Sequence, residues 1–363
     1  MRIFRRPNAR KLVGLSVLAL MTGCSTLSSL NPFATKDKSA EPAPLVELKA
    51  SLAVRTAWKL EIGKSLGYTF SPTLIENSVL VAGAEGAIAR VEAATGRELW
   101  RIKAGSGLSS SAASDGTLIA IGGAKGMLLT FDMNGKALWK AQVSSEVLSA
   151  PVVGQGLVVV RSVDNRIVAF DAKTGDKKWT VQRVAPALTL RNAPGMIIAG
   201  KDVIVAQPGG KLLSLVLATG APRWEVAVGE SRGATELDRV TDIGGNPVIV
   251  ENDVCAVSYQ GRVGCFDLVT GTARWTKELS SNVGVAADQR FVFSVDDKGA
   301  ISAFNRETGA NVWKNDKLGY RRLSTPVSYG RAVAVGDYQG IVHFLSREDG
   351  SFLARAATDG SAI

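Results

Sequence analysis

The sequence predicts an all-β propeller, on three observations: a tryptophan frame, a glycine turn locked to that frame, and strand-type alternation between the turns. All seven tryptophans recur at a spacing near forty residues, at Trp58, Trp100, Trp139, Trp179, Trp224, Trp275 and Trp313. The six after Trp58 each lie four residues beyond the glycine of a turn dipeptide, which ends at Gly96, Gly135, Gly175, Gly220, Gly271 or Gly309. A period of that size, with turn signals between β-rich runs, marks a propeller blade. No helical period appears after residue 30.

The first element is a leader. Arg2, Arg5, Arg6, Arg10 and Lys11 precede the apolar run LVGLSVLALM, which is followed by Thr22, Gly23 and Cys24. A basic head, a short apolar core and small residues at a cleavage point form a secretory signal, here residues 1–23. The run is too short to cross a bilayer, which takes roughly 20 residues. The tetrapeptide Met21 to Cys24 resembles a bacterial lipobox, in which cleavage leaves Cys24 as the lipidated first residue. Ser25 follows it where an aspartate would retain the protein in the inner membrane, so the resemblance to other lipoproteins implies an outer-membrane address.

Residues 24–50 come next, rich in Ser, Pro, Ala and Lys and without strand periodicity, and are expected to be a flexible tether. The leader carries five basic and no acidic residues, so removing it lowers the net charge from +10 to +5. With no basic tract or aromatic-plus-basic stripe, nucleic-acid binding has little support.

The propeller is expected over residues 51–363. Residues 71–103 show its unit: a short apolar run, a turn at Glu76 to Ser78, the strand SVLVAG, a glycine turn, the alternating strand AIARVEA, the Thr95-Gly96 turn, and a strand carrying Trp100. Seven units repeat the distance from second strand to tryptophan position, starting at Val79, Leu118, Leu157, Val203, Val254, Phe291 and Ala332, the last ending at Ala354. Trp58 precedes them all on a lone outer strand. The expectation is therefore an eight-bladed ring of four-stranded blades, closed by the N-terminal strand. Only nine residues follow Ala354, so the chain is expected to lack the C-terminal strands of the last blade. The other possibility is that the Trp58 strand joins the seventh unit.

Cys255 and Cys265 flank a hairpin turn near Gln260 and Gly261. A three-residue turn would set them opposite each other for a disulfide, whereas a two-residue turn would slip the register and send them to opposite faces. Both alternatives stand on sequence alone.

Two consecutive blade-to-blade connections are longer than the rest, and both emerge on the same face. One contains Leu188, Leu190 and Arg191; the next runs from Ala234 to Asp242 and is acidic. Long loops on a rigid scaffold are where binding resides. The bland alternative is that the leucines tuck onto the ring while Glu236, Asp238 and Arg239 satisfy one another.

The lipobox, the tryptophan-bearing repeats and the loops ALTLR and TELDRVTD together resemble the BamB family, lipoproteins of the outer-membrane β-barrel assembly machinery. That resemblance implies an eight-bladed propeller without catalytic chemistry or cofactor, which binds POTRA domains of the barrel protein BamA within the BAM complex. It places partner contacts on Leu188, Leu190, Arg191 and Asp242. A second acidic position in some family members falls on Gly244 here, which puts that contact in doubt. The resemblance leaves open whether a sheet edge also accepts unfolded outer-membrane proteins by strand addition.

The competing class is a periplasmic quinoprotein dehydrogenase built on pyrroloquinoline quinone, whose repeats are similar. Such enzymes use adjacent cysteines and a calcium site, and this chain has no Cys-Cys pair. Its only histidine, His343, lies in the strand IVHFLS and is expected to be structural. No catalytic constellation or metal-ligand spacing emerges.

Overall fold

The computed structural model describes residues 41–192 and 194–363. The leader, Cys24 and most of the expected tether therefore lie outside the described residues. The described chain forms seven sheets, each of four antiparallel strands in sequence order. The first blade is β1 (Thr73–Ile75), β2 (Ser78–Ala82), β3 (Ala87–Glu92) and β4 (Glu98–Lys103). The others cover 108–142, 152–182, 196–227, 243–278, 285–315 and 327–357.

The expectation of eight blades is corrected to seven. Residues 53–65, which include Trp58, lie in no strand, and no strand follows residue 357. The tryptophan frame misled for a physical reason: each tryptophan marks a joint with the following blade rather than a sheet of its own. Trp139, on the outer strand of blade 2, donates its indole N–H to the Ala172 carbonyl of blade 3 at 2.9 Å. Its ring lies over Gly175, where an added Cβ would fall 2.7 Å from Trp139 Cδ2. The glycine is required twice, because its φ of +76° also disfavours a side chain. Trp58 makes the same joint, to the Ala93 carbonyl and over Gly96, without belonging to any sheet. The remaining five tryptophans repeat the bond to the next blade, ending with Trp313 on the Arg347 carbonyl.

The core is layered to match. Among the described residues, six apolar clusters lie between consecutive blades. Between blades 3 and 4, for example, Val159, Ile167 and Ala169 meet Val203, Val205, Leu213 and Leu215, all essentially inaccessible. A four-stranded sheet buries its faces only against neighbouring sheets, so stability is a sum of such layers.

The stretch ahead of the ring lies along the last blade. Ala43 and Ser51 donate their N–H groups to the Gly319 and Leu353 carbonyls, and Arg355 donates to the Val46 carbonyl. In blade 5, three residues separate the strands Asp253–Ser258 and Arg262–Asp267. That length sets Cys255 directly opposite Cys265, and the structure joins their sulfurs in a buried disulfide.

Candidate functional site

Blade-to-blade connections and the turns between second and third strands emerge on one face of the ring. On that face lies a groove of about 220 Å³, lined by Glu146, Leu148, Arg161, Val163, Pro194 and Pro208 together with residues 189–192 and Asp242. The first long connection supplies residues 189–192 and Pro194 to it, and the second supplies Asp242. Leu188 is 44% exposed at the loop tip, Leu190 is half-buried, and Arg191 is exposed.

Asp242 lies beneath the loop that carries the other three. It is only 2% exposed, and its carboxylate is already used: Oδ2 accepts the Leu190 N–H, and Oδ1 accepts the Gly209 N–H at 2.9 Å. Its own carbonyl accepts the Tyr259 N–H of blade 5 at 2.8 Å. Asn192 adds a bond to the Ile243 carbonyl at 3.1 Å. One carboxylate thus pins the tip-bearing loop to blades 4 and 5. Beneath it lies Arg161, 7% exposed, whose Nη2 donates to the Pro194 carbonyl at 3.1 Å. Burial pulls the Arg161 pKa down to about 10, against the opposing pull of the Asp242 charge.

Leu188, Leu190, Arg191 and Asp242 therefore come together, with Asp242 as the support under the other three. The acidic loop satisfies itself in part: Arg239 pairs with Glu236 at 3.2 Å, and Asp238 accepts from the Thr235 N–H and hydroxyl. Those Thr235 bonds hold the Asp238 carboxyl below the usual carboxylate range. Leu237 stays 71% exposed at its tip. Gly244 holds no side chain for a packing reason, since a Cβ there would fall 2.8 Å from the Ser281 carbonyl oxygen.

Three residues escaped sequence reading. Glu146 bonds Arg191 at 3.2 Å and accepts the Tyr68 hydroxyl at 2.9 Å; Arg161 supports the loop from below. The Arg191 pKa is raised, first by the Glu146 hydrogen bond and then by its charge, with the Tyr68 oxygen adding to it. No local motif signals these positions, because only the ring brings residues 68, 146 and 191 together. His343 is buried in blade 7, where Asp337 Oδ2 bonds it at 2.9 Å and also pairs with Arg321. Burial lowers its pKa despite the neighbouring carboxylate. Among the described residues, no cluster of His, Cys, Asp and Glu is arranged to hold a metal ion.

Residues 84–315 match the family described as "Outer membrane protein assembly factor BamB". The chain belongs to the BamB family. A relative of that name from Burkholderia pseudomallei is 46% identical over 330 residues, 91% of this chain and 87% of the relative. The crystal structure of BamB from Moraxella catarrhalis superposes with a TM-score of 0.76 at 28% identity, covering 80% of this chain and 88% of that one. A quinohemoprotein alcohol dehydrogenase from Comamonas testosteroni superposes at 0.64 with 12% identity, covering 82% and 68%. That likeness is one of fold alone, so the BamB family shares its propeller with dehydrogenases.

Proposed function

We propose that this chain is a non-catalytic scaffold subunit of the machinery that folds and inserts outer-membrane β-barrel proteins. It docks the POTRA domains of the barrel subunit BamA through the loop bearing Leu188, Leu190 and Arg191, and it sits on the periplasmic face of the outer membrane by a lipid on Cys24. The names of its relatives support the assembly role. The dehydrogenase reading has only a shared fold behind it, and fold does not carry function.

The observation that carries the docking assignment is the contrast within one loop. An exposed leucine and an exposed arginine stand at a tip that a buried carboxylate holds from beneath. Apolar and arginine anchors on a pre-organised surface are the residues that dominate protein interfaces. Replacing Leu188 and Arg191 together by alanine is expected to cost about tenfold or more in affinity. BamA should then be lost from a pull-down while circular dichroism and the melting curve stay native. Full BamA retention by a natively folded double variant would move the partner surface elsewhere on the ring.

The anchor has a separate test. Cys24→Ala should abolish incorporation of radiolabelled palmitate and release the protein from membranes, with the propeller still folded. Label entering the substituted protein would sink the assignment.

A further inference from the structure

Arg191 offers its charge to solvent, yet its surroundings come from two distant parts of the chain. Its guanidinium carbon stands 5.5 Å from the centroid of the Tyr68 ring. Its bonds to Glu146, at 3.2 and 3.4 Å, both leave from Nη2. The Tyr68 hydroxyl donates to Glu146 Oε1 at 2.9 Å and closes a triangle. Tyr68 precedes blade 1, Glu146 precedes blade 3, and Arg191 precedes blade 4.

The members of the triangle are not equivalent. The Glu146 side chain is 27% exposed against 64% for Arg191, so the carboxylate is the fixed member and the guanidinium the presented one. Among the described residues, Nε and Nη1 of Arg191 make no hydrogen bond. Both forks of a guanidinium, Nε with Nη2 and Nη1 with Nη2, include the Nη2 that Glu146 occupies, so a further carboxylate is received in a single charge-assisted bond. Glu146 holds Nη2, which leaves Nη1 to meet a second carboxylate.

Resting on the docking reading above, we propose that Tyr68 and Glu146 are positioning residues, which hold Arg191 with Nη1 free to donate to an aspartate or glutamate side chain of the POTRA partner. Ordering a long side chain at the moment of binding costs about two- to tenfold in affinity, and this triangle removes most of that cost beforehand. An ion pair as exposed as Arg191 with Glu146 contributes little to folding. Its arrangement is therefore read out in binding.

The test is a double-mutant cycle on the full chain, titrated with the purified POTRA segment of BamA. Tyr68→Ala and Glu146→Gln are each expected to weaken binding about three- to tenfold with unchanged melting curves. Tyr68→Phe keeps the ring under the guanidinium but loses the hydroxyl bond to Glu146, so its affinity should fall between those of the parent and Tyr68→Ala. In an Arg191→Ala background neither substitution should weaken binding further, because both act through Arg191. Persistence of their effects in that background would overturn the positioning role, as would unchanged affinity of both single variants while Arg191→Ala binds weakly. A neutral Arg191→Ala would instead remove the docking reading itself. Glu146→Gln is isosteric and lies at the surface, so it decides the matter even if Tyr68→Ala does not fold.

Discussion

Trp275→Ala is expected to destabilise the protein by about 3–5 kcal/mol, the range for emptying a large buried aromatic site. Trp275 is only 8% exposed, and its ring centroid lies 5.9 Å from that of Phe304 in the next blade. Its indole N–H donates to the Arg306 carbonyl, and its ring covers Gly309. Alanine therefore opens a cavity and leaves a carbonyl without its donor in one step. Trp139→Ala should fall near the lower end of the range, since that ring is half-buried. Trp58→Ala should cost least, because the segment carrying Trp58 pairs with no sheet. Urea unfolding of the three variants checks the order, and an unchanged curve for Trp275→Ala would mean that the joint contributes nothing to stability.

Asp242→Ala is expected to lose partner binding without touching the partner. The carboxylate accepts the Leu190 and Gly209 N–H groups, and charge-assisted bonds of this kind contribute about 1.5–3 kcal/mol each. Its removal also leaves the buried Arg161 without the negative charge that offsets its desolvation. The loop should detach, with the Leu190 and Gly209 amides exchanging hydrogen faster, while the disulfide-bearing hairpin of blade 5 stays protected. Because the lost term is internal, weakened binding should persist at high salt, where a direct surface ion pair would be screened. Affinity of the variant that returns to the parental value at high salt, with unchanged amide exchange, would make Asp242 a direct contact after all.

Six of the seven joints were legible in the sequence because they share a fixed chemical signature, a tryptophan four residues after a glycine. Strand starts followed from alternation: the second strands begin at Leu118, Leu157, Phe291 and Ala332 as expected, and one residue earlier than expected at Ser78, Asp202 and Asp253. Blade number was not legible, since Trp58 keeps the spacing of the tryptophan frame and makes its joint with neither a glycine four residues before it nor a sheet of its own. The loop proposed for docking showed itself by its length. What Asp242 does there did not, because a carboxylate in an acidic loop has the same letter whether it faces solvent or two backbone amides. Tyr68 and Glu146 were invisible for a stronger reason, since their neighbourhood exists only once three connections converge over the ring.

The tryptophan-over-glycine joint also governs the order in which the molecule can be put together. The two halves of each joint are separated by a few tens of residues, Trp139 from Ala172 by 33 and Trp179 from Leu217 by 38. A newly made chain therefore needs only one further blade's length to latch the blade before it, and no early step waits for the far terminus. Such a molecule can assemble progressively, like links of a chain closed one at a time, with each finished link protecting an apolar face that would otherwise stand open to aggregation.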